Sequence, residues 1–513
     1  MKIVVGNAWP YANGPLHIGR VSAWLPGDAI ARYHRAKGDD VVFVSGSDCH
    51  GELVLKKANV LKKSPKFVSD YYHEKFKNDF EKLDFSFDNF AKTSGEYHEK
   101  TVKEFIKILS EKGLIYSKEV EVYKCYKCNE EVGDRFIENN KHTSCDGVLK
   151  NETVDKLFFK LSTFEDYLKK LISKELGWKD NALKLTKRYL DEGLRDRVLS
   201  RDIEWGIDIP IENFTDKKVF VWIEAVMGYM SASKKIIEER NEEFTDYWNT
   251  ESARIYLLHG KDNIPFHCVV MPCIVAGLGY EECNIRILSS EHMELEGKKF
   301  SSNRNWVVWL DYIIKKYDSD VIRYYLLSTG LNNRGANFTW REFINKNNTE
   351  LLGTYGNFIN RTLSFIDKYY EGSLGKQRVN KSIESMIVKS YEKVSRCIEA
   401  GNINIAINEI LKLTVDANNY FDNEKPWILF KNDPNRCKEV MYNCSLVVST
   451  LGNLLEPIIP KTADKIRKML NIDKINFKFE ELENINITMG GFLFSRIDTK
   501  QANEELYILK KRK

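Results

Sequence analysis

The sequence predicts an α/β protein: an open parallel sheet flanked by helices, interrupted by a small inserted module and followed by an all-α bundle. Three observations carry that expectation. Short apolar runs alternate with helical periodicity through the first third of the chain. A glycine-bearing turn joins the first apolar run to the first helix. Strand signals then fade from about residue 345, where amphipathic helices take over. At 513 residues the chain is too long for one core, so about two to four domains are expected.

Ile3-Val4-Val5 reads as the first buried strand, and Val21, Leu25, Ala29 and Tyr33, four residues apart, mark the first helix. Between them lies Pro10-Tyr11-Ala12-Asn13-Gly14-Pro15-Leu16-His17-Ile18-Gly19-Arg20. Strand, glycine-bearing turn and helix form the geometry that places a nucleotide phosphate on the free amides of a helix N-terminus. The three-glycine spacing of a dinucleotide site is missing. Val41-Val42-Phe43-Val44 reads as a second strand, ending in the polar loop Ser45-Gly46-Ser47-Asp48-Cys49-His50-Gly51. Ligand-contacting residues of open parallel sheets gather at such carboxyl ends. Helical segments are expected to run on to about Lys112.

Residues 116–156 break the pattern. Cys125 and Cys128, thirteen residues, then His142 and Cys145 give two close pairs of soft ligands, suited to a tetrahedral structural zinc. The alternative is a knuckle that folds without metal. The α/β character returns near Lys218 with Val219-Phe220-Val221-Trp222, and a further strand, Ile255–Leu258, runs into His259-Gly260-Lys261-Asp262. Leu351, Tyr355, Phe358, Ile359 and Leu363 recur at helical steps, as does the stretch 405–420. Lys510-Lys511-Arg512-Lys513 reads as a solvated tail. The expected boundaries are 1–114 and 216–344 for the two halves of the α/β domain, 115–215 for the insertion and 345–513 for the helical domain.

Composition excludes several classes. With 43% hydrophobic and 30% charged residues the chain is an ordinary soluble protein. No apolar segment is long enough for a bilayer and the first residues do not form a signal peptide, so a cytoplasmic protein without a membrane partner is expected. The ten cysteines are expected to be reduced thiols rather than a disulfide framework. A net charge of +4 permits RNA binding through local patches without requiring it.

The Pro10–Arg20 stretch resembles the "HIGH" signature of class I aminoacyl-tRNA synthetases, and its Pro-Tyr-Ala-Asn-Gly lead-in resembles the methionyl family in particular. Lys299-Phe300-Ser301-Ser302-Asn303 loosely resembles the second signature, "KMSKS". The resemblance implies a Rossmann-like catalytic domain and an anticodon-binding bundle that join L-methionine to tRNA(Met) through a methionyl-adenylate, with ATP and Mg2+. It assigns catalysis to fixed charges from His17, Arg20 and Lys299, and ATP binding to these with Asn13 and Gly19. The methionine pocket would comprise Ala8, Trp9, Tyr11, Asp48, Trp222, Ala225, Tyr229 and His267. Asp48 would hold the substrate ammonium, and the aromatic walls suit a polarisable thioether. Asn357, Arg361 and Trp427 correspond to the elements that read the anticodon, where rings and guanidinium groups stack on unpaired bases. The family carries zinc knuckles in its insertion. No further C-terminal domain is expected, which favours a monomer.

The chain departs from the family pattern at several positions. Arg20 stands where the second histidine is usual, and Ser302-Asn303 replace Lys-Ser, removing a cation. Trp9 replaces a leucine, and Met271 an aromatic residue. A divergent second copy, or a catalytically weakened paralogue with a binding or regulatory role, is therefore the alternative. Another class I synthetase, for leucine, valine, isoleucine or cysteine, is opposed by the pocket residues and by the lack of a large editing insertion.

Overall fold

The computed structural model describes residues 1–128, 131–133, 137–143, 145–330 and 336–511. Its centre is a five-stranded, wholly parallel sheet. The strands are β1 (Lys2–Asn7), β2 (Asp40–Ser47), β3 (Asn89–Lys92), β6 (Arg254–Gly260) and β7 (Ile285–Ser290), in the order β7-β6-β1-β2-β3. The residues of β1 and β2 are buried on both faces almost throughout, as helices on either side of a parallel sheet require. Chain order reverses between β1 and β6, which makes the carboxyl ends of these two strands the topological switch point where such sheets bind ligands.

Helix α1 (Ile18–Lys37) starts at that point, with His17 as its N-cap residue, and buries the expected Val21, Leu25, Ala29 and Tyr33. Helix α2 (Glu96–Glu111) packs on α3 (Val221–Glu239), which follows the Val219–Val221 run and crosses β2 and β3. Strand β3 was not expected; its four residues are half-buried and lack an apolar run. The polar loop expected from Ser45 begins later, because β2 continues to Ser47.

The insertion is a long antiparallel arm rather than an irregular module. Strand β4 (Ile115–Cys125) pairs with β5 (Leu149–Phe159) in continuous register from Ile115–Phe159 to Cys125–Leu149. Exposed charged residues along both strands hid this pairing from an apolar-run reading. The cysteines sit at the arm's tip.

The bundle comprises α4 (Asn357–Tyr370), α5 (Lys381–Glu399), α6 (Ile403–Glu424), α7 (Pro426–Asn432), α8 (Pro434–Leu454) and α9 (Pro460–Met469). A short pair, Ser373–Gly375 with Asn484–Asn486, adds a two-stranded element to the helical region. Lys510 and Lys511 form the last turn of helix Lys500–Lys511, whereas the expected tail residues Arg512 and Lys513 lie outside the described residues.

Helix α1 is also the bridge to the bundle. Asp28 and Arg323, both fully buried, pair at 2.6 Å, and the Arg323 guanidinium in turn donates to Ile458 O of the helical region at 2.9 Å. Burial raises the Asp28 carboxyl, but Arg323 and Arg32 outweigh it and hold it at about 2. Arg32 reaches Glu456 at 3.1 Å, which also pairs with Arg467 at 2.9 Å. Removing one partner of such a pair leaves a buried charge uncompensated, so the two domains are tied firmly.

Candidate active site

The loops that leave β1 and β2 are zipped together at the switch point. The Asp48 N–H donates to Pro10 O and the Ala12 N–H to Asp48 O, each at 2.8 Å, which sets Tyr11 opposite Asp48. The Ala8 N–H donates to Leu258 O of β6, also at 2.8 Å, closing the other side. Asp48 is 3% exposed, and among the described residues its Oδ1 has no hydrogen-bond partner. Burial first, and then the charge of Glu224, push the Asp48 carboxyl well above the ordinary carboxylate range. Glu224 is fully buried and held by His50 Nδ1 at 2.9 and 3.2 Å. A buried carboxylate oxygen without a partner is costly, and a cation bound there would relieve it.

Helix α3 supplies one wall. Trp222, Ala225 and Tyr229 are spaced three and four residues apart and therefore share a face. Trp222 Nε1 donates to the Tyr11 hydroxyl, and its ring stands edge-on to Phe266 at 4.4 Å. Tyr229 OH donates to His267 Nε2 at 2.6 Å, while His267 Nδ1 donates to Asn263 O at 3.0 Å. Both bonds require the neutral Nδ1–H tautomer, and burial pushes the His267 imidazole down to about 4. His259 stacks on His267 with ring centres 4.2 Å apart. Trp9 lies in a slot between two glycines: a Cβ would come within 2.6 Å of its ring at Gly46 and 2.8 Å at Gly228. A third glycine, Gly6, admits the Tyr229 ring, which a Cβ there would approach to 2.6 Å. Met271 is buried in the core behind this wall.

The two expected nucleotide signatures meet. The Ile18 N–H donates to Val308 O at 3.1 Å and the Leu310 N–H to Leu16 O at 2.9 Å, so the chain after the second signature is stitched to the first. Phe300 stacks on His17 with ring centres 5.0 Å apart and planes 13° apart. The same ring would lie 3.0 Å from a Cβ at Gly19. Burial, and then Arg20, push the His17 imidazole down to about 3, so His17 is neutral at pH 7. The expected fixed charges are thus carried by Arg20 and Lys299, both exposed. Asn13 lies in the turn between them and Tyr11, its N–H donating to Tyr11 O at 2.9 Å. Ser302–Asn305 form a tight turn closed by the mutual Ser301–Trp306 bonds at 3.0 Å, and Arg304 is exposed on it.

At the arm's tip, Cys125, Cys128, His142 and Cys145 bring their ligand atoms within 4.8 Å of one another. Sγ of Cys125 and Cys145 are 3.4 Å apart, Sγ of Cys128 and Cys145 3.7 Å, and His142 Nδ1 lies 3.3 Å from both Cys128 and Cys145 Sγ. Those separations fit the edges of a tetrahedron with metal–ligand distances of about 2.0–2.3 Å. Gly147 makes room, since a Cβ there would collide with Cys125 Sγ. Against the upward push of burial, the N–H groups of Cys128 and Lys127 lower the Cys125 thiol to about 6.

On the bundle, Asn357 and Arg361 lie one turn apart on α4. The Arg361 guanidinium covers the Phe421 ring at 4.2 Å and donates to Asp422 at 2.7 Å. Phe421 is 6.2 Å from the Trp427 ring, which is 45% exposed and therefore not a core-packing residue. The cavity of about 420 Å³ between the carboxyl ends of β6 and β7 and the α5–α6 turn contains none of the expected site residues.

His50, Glu224, Phe266 and the three glycines were not singled out from the sequence. His50 and Glu224 are far apart in the chain, and only the α3–β2 contact joins them.

A parallel sheet with its crevice at this switch point, and two signature loops meeting over a helix N-terminus, define a class I aminoacyl-tRNA synthetase architecture. The family model described as "tRNA synthetases class I (M)" matches residues 3–147 and 138–363, and "Anticodon binding domain of methionyl tRNA ligase" matches residues 371–503. Methionine–tRNA ligase 1 of Alkaliphilus oremlandii is 42% identical, over 99% of both chains. A methionine–tRNA ligase of Bacillus cereus is 40% identical, over 99% of this chain and 98% of its own. The fold is that of a Mycobacterium tuberculosis methionyl-tRNA synthetase solved with methionyl-adenylate: TM-score 0.84, 23% identity, 97% of this chain and 100% of that one. The chain belongs to the methionine–tRNA ligase family.

Proposed function

We propose that this protein joins L-methionine to tRNA(Met) at the expense of ATP, through enzyme-bound methionyl-adenylate. The observation that carries the site assignment is the buried Asp48 Oδ1, unpartnered among the described residues, beside the Tyr11–Trp222 pair, a receptor for an ammonium next to an aromatic pocket. In the first step a methionine carboxylate oxygen attacks the ATP α-phosphorus, and the bond to the β-phosphate oxygen breaks to release pyrophosphate. In the second a terminal ribose hydroxyl of the tRNA attacks the activated carbonyl, AMP leaves, and the hydroxyl proton is lost to solvent. Asp48 fixes the ammonium and Trp222, Ala225, Tyr229 and His267 enclose the side chain. His17 acts as a neutral hydrogen-bonding group at the phosphates, while Arg20 and Lys299 supply positive charge. Such alignment and preorganised charge lower the barrier without a covalent enzyme intermediate. Mg2+ accompanying ATP would further neutralise the phosphates.

Cys125, Cys128, His142 and Cys145 would hold one structural Zn2+ that fixes the tip of the arm. The enzyme would act in the cytoplasm as a monomer; among the described residues no helix is long and apolar enough to cross a membrane. Arg20 and the Ser302-Asn303 pair favour one other reading, a weakened paralogue of the same fold, although Arg304 keeps a cation on the loop. Methionine-dependent exchange of labelled pyrophosphate into ATP separates the two: exchange supports the ligase, and its absence at every Mg2+ concentration selects the paralogue.

A further inference from the structure

Two buried nitrogens of opposite character lie beside α3. The Trp9 indole Nε1 and the His98 Nε2 are both buried, and among the described residues neither has a hydrogen-bond partner. Their rings are neighbours, with centres 5.8 Å apart and planes inclined by 40°. The indole Nε1 can only donate. What His98 Nε2 can do follows from its other nitrogen. The Ser231 hydroxyl donates to Gly228 O at 3.1 Å, so with its one proton placed there its oxygen accepts from His98 Nδ1–H at 2.7 Å. His98 is 3% exposed, and burial, followed by His50, pushes its imidazole down to about 3. It is therefore neutral, protonated at Nδ1, and presents Nε2 as a bare acceptor. A donor and an acceptor, each costly to leave unmade, thus sit beside each other unjoined.

The surroundings allow them to join. Neither Gly46 nor Gly228 carries a side chain to key the Trp9 ring in place, so the indole is confined without being locked. The His98 imidazole borders a cavity of about 260 Å³ beside β3, which leaves it room to turn. His98 belongs to α2, outside the expected pocket. Trp9 lies against Gly228, which stands on α3 between the wall residues Ala225 and Tyr229. The indole is thus the link between the pocket and the imidazole.

We propose that His98 is a positioning residue for methionine: when the substrate side chain fills the pocket, the Trp9 indole moves against His98 and donates its N–H to Nε2, which fixes the wall around the thioether. The proposal rests on the reading of Trp9 as part of the methionine pocket. It gives the tryptophan of this chain a bond that the leucine usual in the family could not make.

The test follows the Trp9 indole N–H resonance in full-length protein labelled with 15N-tryptophan, assigned by its loss in Trp9→Phe. Adding methionine should move that signal downfield in wild type and not in His98→Leu. In the pyrophosphate exchange assay His98→Leu should raise the methionine KM about three- to tenfold and leave the ATP KM unchanged. His98→Gln keeps an acceptor and should recover most of that loss. The Trp9→Phe/His98→Leu double variant should be no worse than the worse single one, because His98 acts only through the indole. A wild-type signal that methionine does not move would overturn the proposal, as it would if a water bridged the two rings at all times. A wild-type methionine KM in His98→Leu, or losses that add in the double variant, would overturn it too. If His98→Leu does not fold, the wild-type signal and the glutamine variant decide. An indole signal that methionine moves in a protein without pyrophosphate exchange would sink the ligase reading alone, since the wall movement is read by binding.

Discussion

Replacing Asp48 with asparagine separates the cost of this residue from its use. The carboxyl is 3% exposed, its Oδ1 has no partner among the described residues, and burial together with Glu224 drives it toward the protonated form. An ammonium placed against it would form a charge-assisted hydrogen bond worth about 1.5–3 kcal/mol. Asparagine keeps the shape and removes the charge, so kcat/KM for methionine should fall about ten- to hundredfold. The sign of the pH dependence follows. Because burial and Glu224 raise the carboxyl and a bound ammonium would favour its ionised form, methionine affinity should rise as pH climbs through the raised value, until the substrate amine itself deprotonates. Asp48→Asn should flatten that rise. Stability should move the other way: a carboxyl whose folded pKa is raised stabilises the fold at low pH and loses that contribution as pH climbs through the raised value. The asparagine variant should therefore melt no lower than wild type at pH 8. Pyrophosphate exchange against methionine concentration from pH 6 to 9, with calorimetry on the same samples, measures both. An Asp48→Asn protein with unchanged kcat/KM and the same pH profile would refute the ammonium assignment.

Other consequences are as direct. Protein purified without chelators should contain about one zinc per chain, and Cys145→Ser should lose it, by mass spectrometry of the metal. Gly228→Ala places a methyl group 2.8 Å from the Trp9 ring; displacing the indole should raise the methionine KM more than it changes the ATP KM in the exchange assay. Trp427→Ala should leave adenylate formation intact and weaken tRNA charging in proportion to the roughly 1–3 kcal/mol of one stacking platform; normal charging by a folded variant would remove Trp427 from anticodon reading.

The residues that announced themselves in the sequence did so because their chemistry is local. The Pro10–Arg20 turn and the paired cysteines each occupy a short stretch whose spacing suggests a use, a helix N-terminus and a set of four soft ligands, whereas the α3 face is picked out through the family resemblance. The long arm did not announce itself, because exposed charged residues break up the apolar ones along the middle of β4 and β5, leaving only short stretches of alternation. Strand β3 is four half-buried residues at the sheet edge and has the same problem.

What the sequence hid in the site is mostly space. Trp9 is larger than the leucine usual in the family, and its own neighbours in the chain do not say where the extra volume goes. The answer lies on β2 and α3, where Gly46 and Gly228 leave a slot that any side chain would fill. The His50–Glu224 pair is of the same kind, since its 2.9 Å contact joins residues 174 positions apart. Glu224 sits on α3 between Trp222 and Ala225, fully buried, and its charge helps to raise the Asp48 carboxyl. A charge that raises the cost of ionising Asp48 in the empty site makes that site more responsive to a bound cation. Glu224→Gln should accordingly lower the Asp48 carboxyl toward its ordinary range and shift the rise in methionine affinity to lower pH with its amplitude kept, whereas Asp48→Asn removes the rise.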